Sequence, residues 1–247
     1  MSKMHEGRCV FITGGTGGVG QAMVKIFARE GAKVLFSYNS KEEQAKLLEK
    51  EVESTGGWAK SYPLDIRSGQ QCKELAEKLE KAGYQIEVLV NNAAVTEIMP
   101  FALLEEEDWD KVMEVNIKGP FLVTRAFIRG MIRRKKGSII NLGSLAGHRL
   151  LEVPVHYATS KSAMQGFTLS LAREMGKFGI RVNCVVPGLL EGGVSAHVPD
   201  KQREEFCKYC ASHRAGTLEE VAELAVFLAS DRASYINAQS VFVDGGF

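Results

Sequence analysis

Apolar residues recur along the chain in two alternating patterns, short continuous runs and longer stretches with helical spacing. The short runs predict buried strands at 8–13, 33–38, 58–64, 87–91, 138–142, 181–186 and 239–243. The longer stretches predict helices at 19–30, 41–55, 68–82, 105–134, 157–177 and 218–229. Continuously apolar strands separated by amphipathic helices are typical of a parallel sheet covered on both faces. We therefore expect an α/β fold, a doubly wound parallel sheet of about seven strands with ligands beyond the carboxyl ends of the strands.

The alternation of strands and helices continues through the chain without a linker or a low-complexity stretch. We therefore expect a single domain over 1–247. The least regular segment lies at 188–216, where strand signals are few and polar residues are frequent. In a doubly wound fold such an excursion is expected near the ligand, and we interpret it as a substrate lid.

A glycine-rich turn, Thr13-Gly14-Gly15-Thr16-Gly17-Gly18-Val19-Gly20, follows the first predicted strand and opens the first predicted helix. This context indicates a dinucleotide site, although a merely structural loop is the alternative. Gly14 permits the tight turn, Gly18 lets the backbone approach a pyrophosphate, and Gly20 allows close packing of helix and strand. The N–H groups at the start of the helix, where Thr16 and Val19 lie, would face the phosphates.

The end of the second predicted strand bears on the choice of nucleotide. An acidic residue there would grip the adenosine ribose and favour NAD, but the chain reads Ser37-Tyr38-Asn39-Ser40-Lys41. Asn39, Ser40 and Lys41 could donate hydrogen bonds to a 2′-phosphate. The alternative for Lys41 is that it simply begins a solvated helix. We expect NADP(H) as the cofactor, with NAD(H) second.

Tyr157 and Lys161 are four residues apart on a predicted helix, so they share one face. An ammonium beside the phenol would lower the tyrosine pKa below its ordinary value of about 10. Such a group can donate and accept a proton near neutrality. With the dinucleotide site, the pair indicates hydride chemistry at a carbonyl or an alcohol. The alternative is an ordinary surface pair.

Composition changes this picture little. The chain has 247 residues, of which 45% are hydrophobic and 25% charged, as in soluble globular proteins. Its 31 basic and 30 acidic residues leave a net charge of +1, which gives no reason to expect nucleic acid or an anionic membrane as a partner. No apolar run approaches the roughly 20 residues of a membrane span, and the N-terminus lacks the apolar core of a signal peptide. A cytoplasmic location is expected.

The 5 cysteines are scattered and odd in number, which indicates free thiols. Cys207, Cys210 and His213 have a spacing that could bind zinc on a helix, with His197 upstream. The other interpretation is that these cysteines pack as small apolar groups. We adopt it and expect no metal.

The chain resembles the short-chain dehydrogenase/reductase family over nearly its whole length. The matching motifs stand in the family's order, and together they are far more specific than any one alone. They are Thr13-Gly14-xxx-Gly18-x-Gly20, Asp65-Ile66, Asn91-Asn92-Ala93-Ala94, Asn116, Ser144, Tyr157-xxx-Lys161 and Pro187-Gly188.

The resemblance implies a catalytic group of Asn116, Ser144, Tyr157 and Lys161. Tyr157 would give its proton to the substrate oxygen as hydride arrives, or remove it in the reverse direction. Lys161 would lower the pKa of Tyr157 and hold the nicotinamide ribose. Ser144 would hydrogen-bond the substrate oxygen, and Asn116 would support a water that links Lys161 to solvent.

The resemblance also implies further cofactor contacts. Asp65 and Ile66 would contact the adenine ring. Three residues after the fourth predicted strand would line the cofactor cleft, namely Asn92, Ala93 and Ala94. Residues after the sixth predicted strand would contact the nicotinamide end, namely Pro187, Gly188 and Leu190.

Two positions depart from the family pattern. The family often has a threonine shortly after Pro187-Gly188 that holds the nicotinamide carboxamide, but Gly192 stands near that place. The contact is then lost or supplied elsewhere, with Ser195 as a candidate. Ala94 replaces the usual glycine, which adds one methyl group. Neither departure removes the catalytic group.

Within the family, the chain is similar to 3-oxoacyl thioester reductases that act on acyl carrier protein or acetoacetyl-CoA. Basic residues crowd the ends of two predicted helices and would suit an acidic carrier protein or the phosphates of coenzyme A. Cations at helix C-termini also simply complement the helix dipole. The residues are Arg129, Arg133, Arg134, Lys135, Lys136 and Arg173.

The expected function is therefore NADPH-dependent reduction of a ketone, foremost a 3-oxoacyl thioester. A second enzymatic interpretation is oxidation or reduction of a steroid, sugar or secondary-metabolite alcohol, because this fold hosts many substrates. A third, of another class, is a non-catalytic dinucleotide sensor or scaffold.

The two helices that carry Asn116 and Tyr157 are apolar over more than one narrow stripe, as at Phe121 and Phe167. A second apolar face suggests a second buried surface. Family members commonly pair these helices between subunits and use the C-terminal strand in another interface. We expect a homotetramer, with a dimer next.

Overall fold

Residues 3–247 are described by the computed structural model, in which seven strands form one parallel sheet. The strands are β1 (Cys9–Ile12), β2 (Lys33–Tyr38), β3 (Trp58–Pro63), β4 (Ile86–Asn91), β5 (Gly137–Leu142), β6 (Ile180–Pro187) and β7 (Ser240–Val243). Their spatial order is β3-β2-β1-β4-β5-β6-β7. The direction of winding therefore reverses between β1 and β4, which is the place where open α/β sheets bind ligands.

Helices cover both faces of the sheet. They are α1 (Gly18–Arg29), α2 (Glu42–Ser54), α3 (Gly69–Lys81), α4 (Glu106–Met113), α5 (Gly119–Arg134), α6 (Val155–Met175), α7 (Asp200–Tyr209) and α8 (Leu218–Ala229). One core cluster joins the sheet to α1, α2 and α8, and the other joins it to α3, α5 and α6. In β1, Val10 and Ile12 belong to the first cluster and Phe11 to the second. The prediction of a doubly wound α/β sheet is confirmed.

The predicted helix over 105–134 is interrupted. Between α4 and α5, Glu114–Lys118 forms a wider π-helical turn. Pro120 has no N–H and cannot donate to the carbonyl of Asn116 four residues earlier, so a regular α-helical bond is missing at this point. Asn116 lies in the wide turn and is buried. The other predicted elements agree with the observed bounds within two residues.

The segment 188–216 contains a helix that the sequence did not predict, α7. None of its side chains is buried, so its sequence has no apolar stripe to reveal it. The C-terminal residues hold α7 in place. Phe247 stacks on Phe206 with ring centroids 4.3 Å apart, and the Ser212 N–H donates to the Gly245 carbonyl at 2.9 Å. No helix of the described residues is long and apolar enough to cross a membrane.

Candidate active site

The glycine turn between β1 and α1 is packed so tightly that it excludes side chains. Gly14 has a φ of +64°, and a Cβ atom there would lie 2.9 Å from Ala93 Cα. A Cβ atom on Gly20 would lie 2.3 Å from the Gly14 carbonyl oxygen. These contacts explain the first and third glycines of the motif. A Cβ atom on Gly18 would lie 3.1 Å from Gly193, so backbone of the 188–216 segment reaches the turn.

Thr13 and Asn92 fix the turn to the carboxyl end of β4. Thr13 Oγ1 accepts hydrogen bonds from the backbone N–H groups of Asn92 at 3.0 Å and Ala93 at 3.1 Å. Asn92 Nδ2 donates in return to the carbonyls of Thr13 at 2.9 Å and Gly14 at 3.0 Å. Sequence reasoning gave Asn92 a place in the cleft but missed this role of Thr13, although the residue stands in the motif.

The start of α1 fits the diphosphate of a dinucleotide. Gly17 is the N-cap residue, no side chain of the described residues caps the helix, and its first turn carries no acid. The first N–H groups of α1 are therefore free to bind an anion, aided by the helix dipole. Thr16 is buried and Val19 is half-buried at this end.

At the carboxyl end of β2, Tyr38 differs in solvent exposure from the three residues after it. Tyr38 is 8% exposed and belongs to the core, whereas Asn39, Ser40 and Lys41 are exposed. The nearby Glu42 carboxylate is paired with Lys46 at 2.6 Å. This surface offers polar donors and a cation to a ribose substituent.

Of the two residues that follow Leu64 after β3, Asp65 forms an ion pair and Ile66 is buried. The Arg67 guanidinium binds the Asp65 carboxylate at 2.7 Å and lowers the pKa of that carboxyl. Ile66 is buried, and a Cβ atom on Gly119 would lie 2.6 Å from it. Ile66 thus packs against the start of α5, whereas Asp65 pairs within the loop after β3.

Tyr157, Lys161 and Ser144 meet beyond β5. Lys161 is 4% exposed, and its Nζ lies 5.7 Å from the centroid of the Tyr157 ring. Lys161 Nζ donates to the Leu142 carbonyl at 2.8 Å. An ammonium has three N–H donors, so two remain for ribose hydroxyl groups of a dinucleotide. The Ser144 hydroxyl lies close enough to the Tyr157 phenol to favour its phenolate form, and Ser144 Oγ accepts a hydrogen bond from the Ala146 N–H at 3.2 Å.

Burial dominates the proton affinities of this group. It raises the pKa of Tyr157, and the nearby Ser144 hydroxyl partly opposes the rise. Burial also lowers the pKa of Lys161 to about 8. The sequence-based expectation of a tyrosine pKa below its ordinary value is wrong for this arrangement. The spacing places the two groups together, but removal from water disfavours both charged forms.

Asn116 ties the π-helical turn to the helix that carries Tyr157. Its Oδ1 accepts from the Val95 N–H at 2.8 Å. Its Nδ2 donates to the Val95 carbonyl at 2.9 Å and to Ser160 Oγ at 3.0 Å. Ser160 Oγ in turn donates to the Tyr157 carbonyl at 2.7 Å. Sequence reasoning missed Ser160, which is fully buried.

A buried polar network underlies the site, and sequence reasoning missed it as well. Asn91 Nδ2 donates to Thr124 Oγ1 at 3.0 Å and to Asn141 Oδ1 at 2.8 Å. Asn141 Nδ2 donates to Thr168 Oγ1 at 2.9 Å. The network fixes β4 and β5 to α5 and α6. Such polar residues within apolar strands are the signal that could have revealed it.

The residues after β6 lead into the 188–216 segment. The Gly188 N–H donates to the Val243 carbonyl at 3.0 Å, directly after Pro187. Leu190 is buried, and its N–H donates to Ser195 Oγ at 3.4 Å. Ser195, the candidate substitute for the missing threonine, thus contacts Leu190. Ala94 is half-buried beyond β4.

Among the described side chains, which do not include that of His197, no group of three or more His, Cys, Asp or Glu is arranged to hold a metal ion. Cys210 is buried with its thiol 3.5 Å from the Asp244 carbonyl oxygen, and Cys207 is half-buried. Both cysteines are free thiols.

Comparisons with known proteins agree with this geometry. The family model described as enoyl-(acyl carrier protein) reductase matches residues 14–247. The 3-oxoacyl-[acyl-carrier-protein] reductase of Thermotoga maritima is 39% identical over 241 residues, which cover 98% of each chain. Nodulation protein G of a Rhizobium species is 35% identical and covers 97% of this chain and 96% of its own.

A solved structure of gluconate 5-dehydrogenase from Burkholderia cenocepacia, in complex with NADP and tartrate, superimposes with a TM-score of 0.93. It is 29% identical and covers 99% of this chain and 96% of its own. The chain therefore belongs to the short-chain dehydrogenase/reductase family. It is an NAD(P)-dependent oxidoreductase of that family.

Proposed function

We propose that this enzyme uses NADPH to reduce a 3-oxoacyl thioester to the 3-hydroxyacyl product. The observation that carries the proposal is the meeting of Tyr157, Lys161 and Ser144 at the same edge of the sheet as the glycine turn. The bound nicotinamide supplies the hydride. An alkoxide is more basic than a phenolate, so a phenol that burial keeps protonated gives its proton readily to the oxygen of the reduced carbonyl.

Each neighbour of Tyr157 has a distinct role in this proposal. Ser144 donates a hydrogen bond to the substrate oxygen and stabilises the charge that develops there. Lys161 holds the ribose hydroxyl groups with the two donors that Leu142 leaves free. Asn116 holds α6 against the π-helical turn through Ser160 and so keeps Tyr157 in place. A non-catalytic sensor would not need the half-buried Tyr157 beside a buried lysine.

The preference for NADP(H) rests on the carboxyl end of β2. Asn39, Ser40 and Lys41 are exposed there, and the neighbouring Glu42 is paired with Lys46. Donors and a cation suit a 2′-phosphate, whereas a carboxylate would repel it. The gluconate dehydrogenase structure contains NADP, which is consistent with this choice.

The thioester class is supported by relatives named as 3-oxoacyl-[acyl-carrier-protein] reductases. Within one chain the basic residues lie at the amino edge of the sheet, opposite the edge with the glycine turn. Arg134 donates to the carbonyl of Ile86, the first residue of β4, at 2.6 Å, and Lys136 pairs with Glu87 at 2.8 Å. A carrier protein docked on Lys135 and Arg173 would therefore serve the site of a neighbouring copy rather than that of the same chain.

A second candidate is oxidation of a polyhydroxy acid, favoured by the similarity to gluconate 5-dehydrogenase. One screen separates the candidates. Acetoacetyl-CoA with NADPH and with NADH tests the proposed reduction, and gluconate with NADP⁺ tests the alternative. We expect acetoacetyl-CoA with NADPH to give the highest kcat/KM. Turnover of gluconate alone would reject the thioester proposal, and no turnover of any pair would favour a non-catalytic role.

A further inference from the structure

A buried histidine precedes the proposed acid, and the reaction scheme above leaves it without a role. His156 is 0% exposed, and its Nδ1 accepts a hydrogen bond from the Tyr157 backbone N–H at 2.9 Å. Because Nδ1 accepts, the proton of the neutral ring is on Nε2. Nε2 is buried and has no partner among the described residues. A buried donor without a partner costs free energy, so its retention calls for an explanation.

The position of His156 in α6 explains why this buried donor is retained. The N-cap residue is Pro154, and no side chain caps the helix from that position. The first N–H groups of an α-helix have no intrahelical acceptor. His156 provides the acceptor for the N–H of Tyr157, while Ser160 Oγ binds the Tyr157 carbonyl at 2.7 Å. The backbone of Tyr157 is therefore held from both sides.

An imidazole differs from an ordinary capping side chain because it titrates near neutrality. The charged groups that act electrostatically on His156 are Glu97, from the loop after β4, and Asp108, from α4. Glu97 is itself paired with Lys111. Burial lowers the pKa of His156, and the two carboxylates only partly oppose it. The ring is thus neutral at pH 7, and protonation at lower pH would turn the acceptor Nδ1 into a donor that faces the Tyr157 N–H.

We propose that His156 is a positioning residue for Tyr157, which holds the phenol at the reacting carbonyl only while Nδ1 is free of a proton. This inference rests on the proposed role of Tyr157 as the acid. It predicts that kcat falls as the pH drops below 6.5, the ordinary histidine pKa, which gives the pH profile an acid limb. Above that limb the ring is neutral and Tyr157 is aligned. Nucleotide affinity should not follow that limb, because His156 acts on Tyr157 alone.

The test compares His156→Asn and His156→Leu with the unchanged enzyme from about pH 5 to about pH 8. Asparagine places an acceptor, Oδ1, where Nδ1 stands but does not titrate, whereas leucine has no acceptor. We expect His156→Leu to lower kcat about tenfold to a hundredfold at neutral pH, as misalignment does. His156→Asn should recover most of that loss and should lack the acid limb.

His148→Asn is the matched control, since His148 is another histidine whose pKa burial lowers, and it should keep the acid limb. Circular dichroism at each pH verifies folding, and NADPH fluorescence gives the nucleotide Kd. An acid limb that persists unchanged in His156→Asn would overturn the inference. If Tyr157→Phe leaves turnover intact, the proposed role of Tyr157 fails instead, so the two failures are distinguishable.

Discussion

At the carboxyl end of β2, one buried residue is followed by three exposed ones. Tyr38 lies in the core, so a charge placed there would be costly for the fold. Asn39 is the first exposed position after β2, and in the proposed binding mode it faces the adenosine ribose. It is therefore the residue at which the proposed nucleotide preference is best tested.

We expect Asn39→Asp to shift the ratio of kcat/KM for NADPH over NADH toward NADH by about tenfold or more. The new carboxylate repels a 2′-phosphate and accepts hydrogen bonds from ribose hydroxyl groups. Initial rates with each nucleotide measure the ratio. Ser54→Asp adds the same charge at the other end of α2 and should leave the ratio unchanged. An unchanged ratio in Asn39→Asp would mean that this end of β2 does not bind the 2′-position.

Residue spacing alone predicted that Tyr157 and Lys161 share a face, and the structure places them together. Spacing did not predict that the pKa of Tyr157 is raised, because the shift depends on how far the rest of the fold removes the phenol from water. Thr13, His156 and Ser160 were missed for a related reason. Thr13 bonds Asn92 and Ser160 bonds Asn116, partners that are distant in sequence. His156 bonds the neighbouring Tyr157 N–H, but this bond depends on the rotamer that burial imposes on the ring.

At the scale of elements, backbone of the 188–216 segment contacts the glycine turn. Gly193 has a φ of +67° and lies against Gly18 at the start of α1. An L-amino acid in that conformation costs roughly 1–2 kcal/mol, so this contact depends on glycine. Arg203 of α7 donates to the carbonyls of Leu190 at 3.1 Å and Ser195 at 2.9 Å, which links the helix to the contact.

We expect Gly193→Ala to weaken NADPH binding about tenfold, which corresponds to roughly 1.4 kcal/mol. The added Cβ strains the segment and moves it away from the turn. Gly192→Ala is the control, because a Cβ atom there would make an ordinary 3.5 Å contact with Leu218. NADPH fluorescence titration measures both. Equal affinities in the two variants would show that the Gly18–Gly193 contact does not contribute to nucleotide binding.

The order of strands and helices could be predicted because apolar periodicity records which side of each element is buried. Two elements could not be predicted from this periodicity. The π-helical turn at Glu114–Lys118 keeps the helical pattern, and only Pro120 signals it. Helix α7 has no buried side chain and is held by the C-terminal residues, which are distant in sequence.

At the scale of the whole molecule, buried histidines make stability depend on pH. Burial lowers the pKa of His5, His148 and His156 from the ordinary value of 6.5. Below that value the unfolded chain binds more protons than the folded one. The contribution of these neutral histidines to the free energy of unfolding is therefore complete above pH 6.5 and is lost as the pH falls below that value.

We expect the urea midpoint to fall between about pH 7 and about pH 5, before carboxylates protonate. His5→Gln should make that fall shallower, because glutamine can keep the bond that Nε2 makes to the Val226 carbonyl at 2.9 Å without titrating. Urea titrations across this range measure the slope. A midpoint that is flat or rises toward pH 5 would contradict the assignment of neutral buried histidines.

Apolar side chains exposed on α5 and α6 support the proposal of a homotetramer. Phe121 is 47% exposed and Leu169 46% exposed. Exposed apolar faces on neighbouring helices are typical of interfaces between copies. We expect light scattering with size exclusion to give the mass of four chains, and Phe121→Glu to lower it. A mass of one chain at micromolar concentration would refute the proposal.

The most direct test of the account is the oxidation of NADPH by acetoacetyl-CoA in the unchanged enzyme and in Tyr157→Phe. We expect the unchanged enzyme to turn over, and the variant to lose about 10²–10⁴ in kcat while it binds NADPH normally. Tyr209→Phe, at a tyrosine that is 71% exposed, should match the unchanged enzyme. If Tyr157→Phe keeps a tenth or more of the turnover, Tyr157 is not the proton donor and the proposed mechanism is wrong.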